Sequence, residues 1–252
     1  MWDHRRSGAT EQSQVVSEHP ASSVACDAPA TGLMTRGQAR LWFLEQLNPG
    51  EITYHVQLAY ELHGPLERSA LYEALVILTR RHAMLRAAFD ASGKNVRLRV
   101  WDQLDPEIFV DTPTLDMSDE NAIRAWAIAQ SQAPFDLTQP PLYRVAVCEG
   151  SLGVHVIVFT FHHAICDGPA LKIFEDEFAE LYSATIERRK PRLGPPPLPY
   201  ADFICRQREY LQVPSHDDAQ QYWRKELDGA PQVLSLPGSH PPGAALSHRG
   251  RS

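Results

Sequence analysis

The chain has 252 residues, 43% of them hydrophobic and 22% charged, the composition of a globular chain with material for one or two cores. Its 31 acidic and 24 basic residues give a net charge of −7. That balance argues against nucleic acid or an anionic membrane as the main partner, since both are met through basic patches.

The most apolar stretch, Val154 to Phe161, is far shorter than the ~18 residues that span a bilayer, so no transmembrane helix is expected. Residues 1–32 contain no Ile, Leu, Phe or Tyr and lack the apolar run of a secretory signal. Such a segment cannot offset its own ordering entropy, and a disordered tail is predicted. Cys26, Cys148, Cys166 and Cys205 are widely spaced, with no CxxC. Neither a disulfide framework nor a structural zinc site is indicated, and the expectation is a reduced, cytoplasmic protein.

Order begins at Thr35-Arg36-Gly37-Gln38, a capping box followed by Leu41, Leu44 and Leu47 at helical spacing. Asn48-Pro49-Gly50 stops that helix. Tyr54, Val56, Leu58, Tyr60 and Leu62 then alternate with more polar residues, which predicts a strand with one apolar face. Leu71, Leu75 and Leu78 mark a second helix running to about His82. Short strands are predicted over Met84–Phe89 and Val96–Trp101, and a third helix is predicted with Ser118 as its cap. Leu142–Cys148 and Val154–Phe161 read as a hairpin turned at Glu149-Gly150-Ser151. Both faces of its second strand are apolar, which places that strand inside a sheet.

Pro169 suits the first residue of a further helix, with Leu171, Phe174, Phe178 and Leu181 on its inner stripe. Pro191, Pro195, Pro196, Pro197 and Pro199 then read as a linker. Helices are predicted at about Tyr200–Leu211 and His216–Leu227, followed by Val233-Leu234-Ser235-Leu236.

The stretch richest in chemistry is His162-His163-Ala164-Ile165-Cys166-Asp167-Gly168, at the exit of the most buried strand. Neighbours on a strand point to opposite faces, so the two histidines cannot share one role. They also cannot both reach one metal ion with Asp167, and no metal site is expected. Gly168 permits close backbone approach, and the helix behind it offers free N–H groups and a positive dipole end. Cys166 reads as a small buried residue rather than a nucleophile.

HHxxxDG is the signature of nonribosomal peptide synthetase condensation domains and their chloramphenicol acetyltransferase-like relatives, and this sequence resembles them from about Leu33 onward. Thr35–Leu44 resembles the family's opening motif, although Thr35-Arg36-Gly37 departs from its usual small residues. Arg81-His82-Ala83-Met84-Leu85-Arg86 resembles RHExLR, with Ala83 in place of the acidic residue. Pro134-Phe135-Asp136-Leu137, Pro141-Leu142-Tyr143-Arg144, Tyr200-Ala201-Asp202-Phe203 and Tyr222-Trp223 follow in the family's order. Pro169-Ala170 departs from the residues common after the Gly.

The resemblance implies an α/β, chloramphenicol acetyltransferase-like two-layer lobe with a mixed sheet and packed helices. A tail over 1–32, a lobe over 33–190 and a Pro-rich linker with the start of a second lobe over 191–252 are expected. It further implies an acyltransferase that joins carrier-bound acyl and aminoacyl thioesters into an amide, with His163 as general base or amine-positioning group. Asp167 is implied to be structural and paired with Arg144, His162 to be a packed inner histidine, and Gly168 to approach the thioester carbonyl. No cofactor is expected to bind directly, because the substrates ride on the phosphopantetheine of partner carrier proteins. A separately encoded second lobe, or self-association, is the other expected partner. Two alternatives stay open: a non-catalytic truncated lobe that binds a carrier or partner, and a stand-alone ester- or amide-forming acyltransferase.

Overall fold

The computed structural model describes residues 34–93, 95–106, 108–111, 115–150, 153–212 and 216–231. The predicted tail, the turn residue Ser151 and the stretch Val233–Leu236 lie outside the described residues.

Helix α1 (Arg36–Leu47) starts on the expected capping box, with the Thr35 side chain accepting from the Gln38 N–H. Strand β1 (His55–His63) follows, then α2 (Arg68–Arg81) with Leu71, Leu75 and Leu78 fully buried. The strand expected from Met84 is shorter than its apolar content suggests. Residues Ala83–Arg86 form a turn of 3-10 helix, and only Ala87–Asp90 is strand β2, paired with β3 (Arg97–Val100). The turn is tied down by Arg86, whose guanidinium reaches the Thr79 carbonyl at 2.9 Å and also that of Trp101.

Helix α3 (Glu120–Ala129) is capped by Asp119, not by Ser118. The Asp119 carboxylate accepts from the N–H groups of Asn121 and Ala122, whereas Ser118 is held by Asp116. A helix takes the acceptor best placed for its second and third N–H groups, and here that is one residue further on.

Strands β5 (Tyr143–Glu149) and β6 (Val154–His162) form the expected antiparallel hairpin. The main sheet runs β1-β6-β5-β4, so β6 is interior, as its two apolar faces require. The edge strand β4 (Ile108–Asp111) lies parallel to β5 and has no counterpart in the sequence reading. Four residues after a proline are too few for periodicity to register.

Helices α2 and α4 (Gly168–Ile186) cover one face of this sheet and supply the main core. Phe159 and Phe161 of β6 meet Phe174 edge to face, and Phe159 meets Phe178 likewise, with centroids 5.0–5.2 Å apart. On the other face α3 packs Trp126 and Ala127 over Ala146, Cys148, Val156 and Val158. The expected helix-on-sheet layer is therefore that of α2 and α4, and α3 adds a smaller cover behind it.

The Pro-rich segment 191–199 carries neither helix nor strand and leads into α5 (Tyr200–Gln212) and α6 (His216–Glu226). Cys148 is a buried free thiol and Cys166 a half-buried one. Among the described residues no helix is long and apolar enough to cross a membrane.

Candidate active site

Strand β6 ends at His162, and the next residues are fixed by a short series of backbone bonds. The His163 N–H donates to the Tyr54 carbonyl at 2.8 Å, which anchors the strand exit to the start of β1. The Ala164 N–H donates to His162 Nδ1 at 3.1 Å, and the Ile165 N–H to the His162 carbonyl at 3.1 Å. Ala164 and Ile165 are buried, so the turn leaves His163 as the exposed side chain at this corner.

His163 lines a cavity of about 700 Å³, a size typical of small-molecule sites. Leu41, Met84, Leu85, Phe161, Leu171 and Phe174 supply much of its apolar wall. The linker closes one side with Pro197, Leu198, Pro199 and Tyr200. A charged cluster at the rim holds that linker in place. Glu177 of α4 accepts from His82 Nε2 at 2.7 Å and from Arg81 Nε at 3.0 Å. Arg81 donates in turn to the carbonyls of Gly194 and Pro195 at 2.9 and 2.7 Å. Arg81 and His82 stand out in the sequence only as parts of a motif, and Glu177 carries no signal there, because their meeting depends on how α2 crosses α4.

His162 points away from this cavity and is only 2% exposed. Its ring lies 6.0 Å from His55 and 6.3 Å from Phe135 by centroid, both edge to face. Burial, with smaller contributions from His55 and His163, lowers its pKa to about 4. The neutral ring suits its bond, since Nδ1 must be unprotonated to accept the Ala164 N–H. His55 donates from Nδ1 to the Ser131 carbonyl at 2.7 Å, and burial lowers its pKa as well. In the sequence His55 is an ordinary alternating strand position, and its partner becomes visible only through the pairing of β1 with β6.

The expected ion pair between Arg144 and Asp167 is not formed. The Arg144 guanidinium sits 4.0 Å above the Phe135 ring and donates to the Ala133 carbonyl. Asp167 is the N-cap of α4, its carboxylate accepting from the Ala170 N–H at 3.0 Å. The division follows the pleat. Arg144 lies opposite Thr160 on β6, and an even-numbered position there belongs to the α3 side of the sheet. Asp167 lines the cavity on the α4 side.

Gly168 is the first residue of α4, and a Cβ placed there would meet nothing within 4 Å. Cys166, half-buried in the cavity wall, has its thiol pKa pushed up to about 12, chiefly by burial. That thiol is a poor nucleophile at neutral pH.

A family model described as "Condensation domain" matches residues 31–250. Malpinin synthetase of Mortierella alpina is 32% identical over 246 residues, covering 96% of this chain and 3% of that protein. Phosphinothricin tripeptide synthetase PhsC of Streptomyces viridochromogenes is 34% identical over 215 residues, covering 84% of this chain and 20% of that protein. The starter condensation domain of rhizomide synthetase RzmA shares the fold, with a TM-score of 0.69 at 22% identity over 80% of this chain. The chain spans 49% of that solved domain. A family model that covers most of the sequence, relatives above 30% identity and a shared fold together establish that the chain belongs to the condensation-domain family.

Proposed function

We propose that the chain is the histidine-bearing half of a condensation-type acyltransferase, acting in the cytoplasm in nonribosomal peptide synthesis. The observation that carries this reading is the exposed His163 at the lip of a half-open, mainly apolar cavity, with its neighbour His162 buried on the opposite side. A neutral amine attacks the thioester carbonyl, a C–N bond forms, the C–S bond breaks, and the thiol leaves with the proton that the amine gives up. His163 either takes that proton or orients the amine. His162 and Asp167 act structurally, through the Ala164 and Ala170 N–H bonds, and Arg144 braces the Phe135 ring behind them. Gly168 leaves room for the thioester beside the N-terminus of α4.

The acyl and aminoacyl groups arrive on phosphopantetheine arms of carrier proteins, and the chain binds no cofactor of its own. A variant of the rhizomide synthetase starter domain was solved with C8-CoA and Leu-SNAC together, at a TM-score of 0.74 to this chain. That pairing supports a site for two thioester-linked substrates. Within the described residues, 34–190 are the lobe and 191–231 the linker with the beginning of a second lobe.

One observation favours a second reading, a partner-binding lobe without activity of its own. Helices α5 and α6 expose Phe203, Tyr210, Leu211, Tyr222 and Trp223, an apolar surface of the kind a second lobe or another copy would cover. The test is His163→Ala assayed with loaded carrier proteins. Turnover falling ~10²–10⁴-fold in a folded variant supports catalysis. A wild-type chain that binds carriers and forms no amide supports the second reading.

A further inference from the structure

Gln38 makes two kinds of contact that call for different chemistry. Its Oε1 accepts the Thr35 N–H at 3.0 Å, the return half of the capping box that starts α1. Its Nε2 donates at 3.0 Å to the Ala164 carbonyl, 126 residues further along the chain. The side chain is 95% buried by its 5% exposure, in a wall of the cavity that His163 also lines. The orientation of the amide is settled by its partners, because an N–H can only donate and a carbonyl can only accept.

A capping box is served equally by Glu or Gln at this position. Only Gln can also donate to a carbonyl at neutral pH. The second contact falls on the peptide between Ala164 and Ile165, one residue beyond His163. With it, the backbone around His163 is held at four points: the His163 N–H by Tyr54, the Ala164 N–H by the His162 ring, the Ile165 N–H by the His162 carbonyl, and the Ala164 carbonyl by Gln38. The first three anchors come from the β1–β6 end of the sheet, and the fourth comes from α1. Loss of that bond leaves a buried carbonyl without its partner and loosens the turn on the three remaining anchors.

We propose that Gln38 is a positioning residue for His163, fixing the direction of its imidazole into the cavity through the Ala164 carbonyl. Activity as a readout rests on the amide-forming reading above, whereas the position of His163 can be read without it.

The experiment compares Gln38→Glu and Gln38→Met with the wild-type chain. Gln38→Glu retains the capping-box acceptor and removes the donor, so α1 starts as before. Gln38→Met retains the volume with neither polar atom, and serves if the buried carboxylate prevents folding. Amide hydrogen exchange at Ala164 and Ile165 and the NMR signals of the His163 ring report position. Turnover with carrier-bound donor and acceptor reports use. The expected result is exchange at Ala164 and Ile165 at least tenfold faster, displaced His163 ring signals, and kcat about tenfold lower with KM within twofold. Wild-type exchange and wild-type ring signals in a folded Gln38→Glu chain overturn the proposal, as does a loss carried wholly by KM. If the wild-type chain itself forms no amide, the amide-forming reading fails while exchange and ring signals still decide the role of Gln38.

Discussion

His55 and His162 are direct cross-strand partners of β1 and β6, and both are held in the neutral form by burial. The consequence is a pH-dependent stability. A group whose folded pKa lies below its unfolded value binds more protons in the unfolded chain, so acid favours unfolding. For His162 the window runs from about 6.5 down to about 4. Stability present above pH 6.5 is lost through that window, by about 3 kcal/mol from this residue. His55 acts in the same direction. Denaturant melts between pH 7 and 4 should show the loss. His162→Asn, which can still accept the Ala164 N–H, should flatten the slope, and an unchanged slope would contradict the assignment.

Arg144 and Asp167 serve separate parts of the lobe, so their substitutions should act independently. Asp167→Ala removes the α4 cap and should cost ~1 kcal/mol. Arg144→Ala removes a cation–π contact and a bond to the Ala133 carbonyl, about 2 kcal/mol together. The double variant should equal the sum within ~0.5 kcal/mol in denaturant melts. A coupling well above that value would mean the two side chains meet after all.

Glu177 gathers Arg81 and His82, and through Arg81 the linker. Glu177→Ala leaves a mostly buried guanidinium without its carboxylate and should destabilise the lobe by about 2 kcal/mol. The linker should loosen with it. Limited proteolysis around residues 194–199 checks this, and equal cleavage rates in variant and wild type would sink the idea.

Gly168 separates stability from activity. Its φ is not in the left-handed region, and an added methyl group meets nothing within 4 Å. Gly168→Ala should therefore raise stability by ~0.4–1 kcal/mol through the unfolded chain. If the thioester passes close to this backbone, the same methyl group should lower turnover. A variant that is both stabler and fully active would place the thioester elsewhere.

What the sequence reveals is local. The start of α1 follows from Thr35 and Gln38, and the interior place of β6 from its two apolar faces. The opposite orientations of His162 and His163 follow from the strand period. What it conceals is decided between distant segments. Strand β4 exists because β5 offers a parallel edge to four residues with no pattern of their own. Arg144 turns to Phe135 because the loop before β5 brings that ring beside it, an approach that no spacing encodes. The second contact of Gln38 is hidden behind its first, since the capping box already accounts for the residue.

The order β1-β6-β5-β4 also governs how the lobe can be made. Among the described residues the sheet neighbour of β1 is β6, and both α2 and α3, together with β2 to β5, lie between them in the chain. A polypeptide emerging from the ribosome therefore exposes the unpaired edge of β1 until β6 appears. Pairing so distant in sequence is slow to nucleate and leaves an aggregation-prone intermediate. His163 is the next residue after β6, so the corner that presents it takes shape in the step that closes the sheet. Any fragment ending before Val154 has neither the closed sheet nor the histidine corner, whatever the local quality of its helices.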